Sequence, residues 1–121
     1  MKKIRYAFVF LIAVSGMLAA DDAEAVRRYE EGYELYGKGD YYHAAKTFED
    51  VEIEADSALI RSNALRAQAG AWRMSGMIHR EFQALEKLMT LYPEFADVDV
   101  LAEREYEIAE RYVDGDREPA F

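Results

Sequence analysis

The stretch Gly39-Asp40-Tyr41-Tyr42-His43-Ala44-Ala45-Lys46-Thr47-Phe48 decides how the rest of the chain is read. Gly39 marks a sharp corner, where the backbone needs a conformation that only glycine adopts cheaply. Asp40 after it is a natural helix N-cap, because its carboxylate can accept from the free amides of a first turn. Tyr41, Ala44, Phe48, Val51 and Ala55 then recur every three or four residues and predict a helix from about Tyr41 to Ala55. Upstream, Val26, Tyr29, Tyr33 and Tyr36 keep the same rhythm and predict a helix from about Asp22 to Lys38, ended by Gly37 and Gly39. The quoted stretch is therefore the corner of a helix-turn-helix pair.

The pattern continues downstream. Asp56 and Ser57 offer a cap for a third helix, from about Ala58 to Ser75. Its stripe is Ile60, Ala64, Ala67, Ala71 and Met74, with Leu65 and Trp72 beside it, and Gly76 stops it. A fourth helix, from about Met77 to Tyr92, carries Ile78, Phe82, Leu85, Met89 and Tyr92. Pro93 bars its continuation, since proline lacks the amide hydrogen and disfavours helix in the residue before it. A fifth starts near Val98 after a cap at Asp97 and closes at Gly115. Its inward residues are read as Leu101, Ala102, Ala109 and Tyr112, with Ile108 alongside. No segment shows the alternation of a strand, so the expected class is all-α.

The corner glycines Gly39, Gly76 and Gly115 lie 37 and 39 residues apart, which points to a repeated unit. The segment from Gly39 to Phe48 resembles the second half of a tetratricopeptide repeat. In that family a Gly-Asp-Tyr turn precedes a small Ala and then an aromatic; Ala44 and Phe48 stand in those places, and Gly32 stands where the first helix carries its small residue. Trp72, Gly76 and Pro93 match the aromatic, turn and terminator of a second unit, whereas Glu81 stands where the small Ala is expected. The resemblance covers roughly residues 25–115. It implies antiparallel helix-turn-helix pairs stacked as a short, right-handed, TPR-like solenoid of about two and a half units over 26–115. The spacing exceeds the roughly 34 residues of the standard repeat. Together with Leu91-Tyr92-Pro93-Glu94 this looks like the BamD/YfiO outer-membrane assembly proteins and the related YbgF/CpoB periplasmic proteins.

The N-terminus carries Lys2, Lys3 and Arg5, then fifteen uncharged residues from Tyr6 to Ala20. That layout is a secretory leader. As a helix those residues span only about 22 Å, short of a roughly 30 Å hydrocarbon core. A signal peptide over 1–25, cut at about 20–25, is expected ahead of the helical domain; an uncleaved anchor is the alternative. With no cysteine, no lipid tether of the BamD kind can form and no disulfide framework is available. This departure favours a free periplasmic or inner-membrane-anchored relative. Residues 116–121 read as a tail or the start of a longer connection, as in a fragment of a longer repeat protein.

Removing residues 1–20 takes away three cations and no acids, leaving 12 Lys+Arg against 24 Asp+Glu, so the net charge moves from −9 to −12. Such a domain repels phosphate backbones and anionic lipids, which argues against nucleic acid as a partner. Catalytic signatures are missing too. There is no nucleophile cysteine, no Gly-x-Ser-x-Gly turn and no Gly-rich phosphate loop. His79-Arg80-Glu81 is no zinc motif, because helical ligands want a spacing of three or four, and both histidines, His43 and His79, read as surface or turn residues. No enzyme, cofactor or metal is expected.

A stacked helical repeat instead offers a groove to other proteins. The tyrosines crowding the first pair suit that role, since tyrosine gives large contact area at low entropic cost. Tyr29, Tyr33, Tyr36 and Tyr42, with Arg28 and Arg66, are the candidate partner-binding residues; the bland alternative is that the tyrosines pack between helices with their hydroxyls at the surface. The expected function is an exported protein-binding scaffold of the periplasm or cell envelope, in outer-membrane protein assembly by resemblance, with envelope proteins or peptides as partners. Two alternatives stand beside it: a peptide or small-ligand binding module, and an adaptor that self-associates through the helix at 98–113.

Overall fold

The computed structural model describes residues 20–115. The expected leader falls on residues 1–19, outside the described residues, and on the first turn and a half of helix α1; the tail at 116–121 also lies outside them. Five helices follow one another: α1 (Ala20–Gly37), α2 (Tyr41–Glu54), α3 (Ala58–Met74), α4 (Ile78–Leu91) and α5 (Val98–Val113), with a short 3-10 turn at Pro93–Phe95. Adjacent helices pack as antiparallel pairs, and no sheet is present among the described residues.

The corners follow from the local sequence. Gly39 and Gly76 both take the left-handed conformation, at φ +82° and +77°. In the first corner the amide of Asp40 donates to the carbonyl of Leu35 at 3.0 Å; in the second the amide of Met77 donates to Trp72 at 2.9 Å. This is the same helix-ending hydrogen bond in both, closed by a residue that only glycine occupies without strain. Asp40 caps α2 by accepting from the amide of His43 at 3.3 Å. The His43 ring also reaches the Asp40 carboxylate, and that hydrogen bond holds the carboxyl below its usual range. Ser57 and Asp97 cap α3 and α5 in the same way, whereas Met77 at the head of α4 supplies no cap.

The core has two lobes that share α3. Ile60, Ala64, Ala67, Ala71 and Trp72 face the lobe built with α1 and α2; Leu65 and Ala69 face the lobe built with α4 and α5. Burial on two sides explains why α3 is so rich in alanine: small side chains let neighbours approach from both directions. Helices α1 and α2 approach closely at Gly32, where a Cβ would stand 2.5 Å from Cε1 of Phe48. Asp22, itself buried, ties the start of α1 to the α2–α3 connection by accepting from the amides of Asp56 at 2.7 Å and Ser57 at 3.1 Å.

Three expected positions differ. Met74 is exposed rather than part of the α3 stripe, because it falls in the last turn, past the end of the core. On α5, Ala102 and Ala109 face outward. The covered line there is Leu101, Arg104, Ile108 and Tyr112, and Ile108 alone is fully buried. Glu81, the misfit in the repeat pattern, is buried at 2% exposure and grips Arg104 of α5 through both carboxylate oxygens, at 2.7 and 2.9 Å.

Candidate functional site

Helical spacing places Tyr29, Tyr33 and Tyr36 on one side of α1, where they form a ladder of rings. Tyr29 and Tyr33 lie 5.0 Å apart between centroids, and Tyr33 and Tyr36 6.1 Å. Phe48 of α2 meets both Tyr29 and Tyr33, at 5.3 and 5.0 Å, and Tyr41 meets Tyr36 at 5.0 Å. Most contacts are edge-on or tilted, as ring quadrupoles favour. Tyr29 is buried; Tyr33 and Tyr36 are half-buried and keep one edge in solvent. Burial drives the Tyr29 phenol well above its usual range, helped by Tyr33, while the charge of Arg66 opposes the shift. Its hydroxyl donates to that of Tyr33 at 3.3 Å. Tyr36 is raised as well, by burial and by Tyr41 and Tyr33. Both phenols therefore stay neutral near pH 7, and the ladder offers an amphipathic surface with no ionisable nucleophile.

The remaining candidates divide. Arg66, on α3, donates its guanidinium to Asn63 at 3.0 Å and to the carbonyl of Phe95. Arg28 pairs with Glu54 at 2.9 Å, linking α1 to the end of α2. Tyr42 is turned away from the ladder onto Trp72 of α3, with ring centroids 5.5 Å apart. Consecutive helical residues point about 100° apart, so Tyr41 and Tyr42 cannot face the same neighbour.

A second feature escaped the sequence reading. Between α2, α3 and α4 lies a cleft of about 310 Å³, floored by Trp72 and Gln68 and edged by Glu49, Arg80 and Lys87. The Arg80 guanidinium lies over the Trp72 ring, 4.8 Å from its centroid. Gln68 and Trp72 are one turn apart on α3, a spacing that sequence alone could have flagged as one face, but nothing in it reveals which helices wall the cleft.

Among the described residues no group of three or more His, Cys, Asp or Glu is placed to hold a metal ion, and no helix is long and apolar enough to cross a membrane. No protein-family model, curated protein or solved structure matches the chain.

Proposed function

We propose that the chain is a TPR-like, protein-binding scaffold exported to the cell envelope. The observation that carries this reading is the corner built twice. Gly39 and Gly76, 37 residues apart, share one backbone conformation and one closing hydrogen bond. The contact of Gly32 with Phe48 supports it, since the resemblance puts a small residue and an aromatic at those two positions. Helix pairs repeated in this way stack into a right-handed solenoid whose first helices line a groove. The ladder of Tyr29, Tyr33 and Tyr36, with Arg66 beside it, is the recognition surface in this reading. Export rests on the charged and apolar pattern of residues 1–20, and a role in outer-membrane protein assembly rests on the likeness to BamD/YfiO-type sequences.

Photo-crosslinking in the living cell tests it. A photoreactive residue at Tyr33 and another at Arg66 are expected to capture the same envelope protein, and one at the exposed Ile53 of α2 is not. Capture of only a second copy of the chain from both positions would replace the scaffold with a self-associating adaptor. In that case the exposed Val98, Val100, Tyr106 and Val113 of α5 become the face to mutate next.

A further inference from the structure

We propose that the cleft between α2, α3 and α4 binds a carboxylate, held between the amide of Gln68 and the guanidinium of Arg80. The proposal does not depend on the scaffold reading, which uses the tyrosine ladder. Gln68 is only 6% exposed, and its side-chain amide nitrogen has no hydrogen-bond partner among the described residues. A buried donor left unmatched is costly, and native interiors keep few of them. Gln68 lines the cleft, so a turn of its side chain presents this donor to an acceptor oxygen entering there.

The charges select what carries that oxygen. Lys87 is paired with Glu52 at 2.8 Å, and Glu49 with Lys46 at 2.9 Å. Arg80 has no carboxylate partner among the described residues; its planar cation rests on Trp72 instead. Stacking of this kind holds a guanidinium flat and leaves its edge N–H groups free to donate. Trp72 and Gln68 are neighbours on one face of α3, so the stacked cation and the unmet donor converge on the same floor. One cation and one neutral donor match a monoanion with two acceptor oxygens. A dianionic phosphate fits worse, because Glu49 borders the site and the chain carries a net charge of −9.

Trp72 is the chain's one tryptophan, so fluorescence excited beyond the tyrosine band reports on this cleft. The full chain is titrated with butyrate, with butyramide and with inorganic phosphate. Butyrate is expected to give a saturable change, and the other two none or one at far higher concentration. Arg80→Gln and Gln68→Met should each weaken the midpoint about tenfold or more, as loss of a charge-assisted hydrogen bond does, with helical circular dichroism unchanged. The side-chain amide resonance of Gln68, followed by NMR, should shift on the same curve. A blocked tripeptide with a central glutamate separates the sources of the carboxylate. Binding as tight as the free acid, or tighter, assigns the cleft to an acidic protein segment, and binding of the free acid alone assigns it to a small acid. The proposal is overturned by no saturable response to butyrate, by an equal response to butyramide, by tighter phosphate binding, or by wild-type binding in both variants.

Discussion

Ala44 and Glu81 are the fourth residues of α2 and α4, each one turn past a glycine corner, and they solve the same packing problem in opposite ways. Ala44 disappears into an apolar core shared by α1, α2 and α3. Glu81 is equally buried but polar, and reaches Arg104 on α5 with two hydrogen bonds. The first half of the molecule is thus specified by shape, with alanines and one glycine letting helices close on each other. The second is specified by a charge pair, around which α5 buries little apolar surface beyond Ile108. A buried ion pair adds little net stability when intact, because desolvation offsets the attraction, yet it is expensive to break. Helix α5 is therefore held in one register without being held strongly, and should open first in hydrogen exchange.

The largest expected effect attacks the charged seam. Glu81→Ala leaves Arg104 half-buried with only Glu107, at 3.0 Å, for company. A loss of about 3 kcal/mol in urea denaturation is expected. Replacing both partners, Glu81→Leu with Arg104→Met, should recover most of it, as apolar exchange of a buried pair commonly does. If the single variant is as stable as the parent, the contrast between the two halves collapses.

Next comes the shape-specified half. Gly32→Ala drives a methyl into Phe48, and overpacking of that kind costs about 1–3 kcal/mol. The helix gains about 1 kcal/mol from losing a glycine, so a net cost of up to about 2 kcal/mol is expected in the same assay. A neutral or stabilising outcome would mean that Phe48 yields easily and that the close approach is incidental.

The smallest effect sharpens the contrast through pH. Burial pushes the Glu105 carboxyl on α5 up to about 7, and Glu86 across the seam pushes it the same way. Between its ordinary value of 4.5 and about 7 the unfolded chain has released this proton and the folded chain keeps it. Folding therefore binds a proton, and stability falls as pH rises through that window, then levels off above it. Glu105→Gln should flatten this part of the profile, with the slope measured by thermal melts from pH 4.5 to 8.

The helices themselves were legible because their ends are written in chemistry. Glycine corners, the caps at Asp40, Ser57 and Asp97, and Pro93 bracket segments whose bounds fall within about two residues of those expected. The faces of α1 and α2 were legible too, since Tyr29, Phe48 and Val51 are large and regularly spaced. What failed to show was anything set by a distant partner. Glu81 reads as a misfit until Arg104, 23 residues on, is beside it. The outward turn of Ala102 and Ala109 was hidden because alanine is at home on either side of a helix. Of the candidate binding residues, the α1 tyrosines come together as their spacing requires, whereas Tyr42 departs to Trp72 and Arg28 to Glu54. The cleft was invisible for the same reason: its floor lies on one helix and its rim on two others.

If the N-terminal segment is a leader, as proposed, the anchoring of Asp22 bears on where it can be cut. Its carboxylate holds the Asp56 and Ser57 amides at the α2–α3 connection, so this acid stitches the first turn of the domain to a point 34 residues away. A peptidase cutting after Ala20 would release a domain with that stitch intact. One cutting after Ala25 would discard it and leave two amides without that acceptor. Where a leader is trimmed would then decide how firmly the first helix is fastened, and a misplaced cut would be read by the cell as a loosened fold.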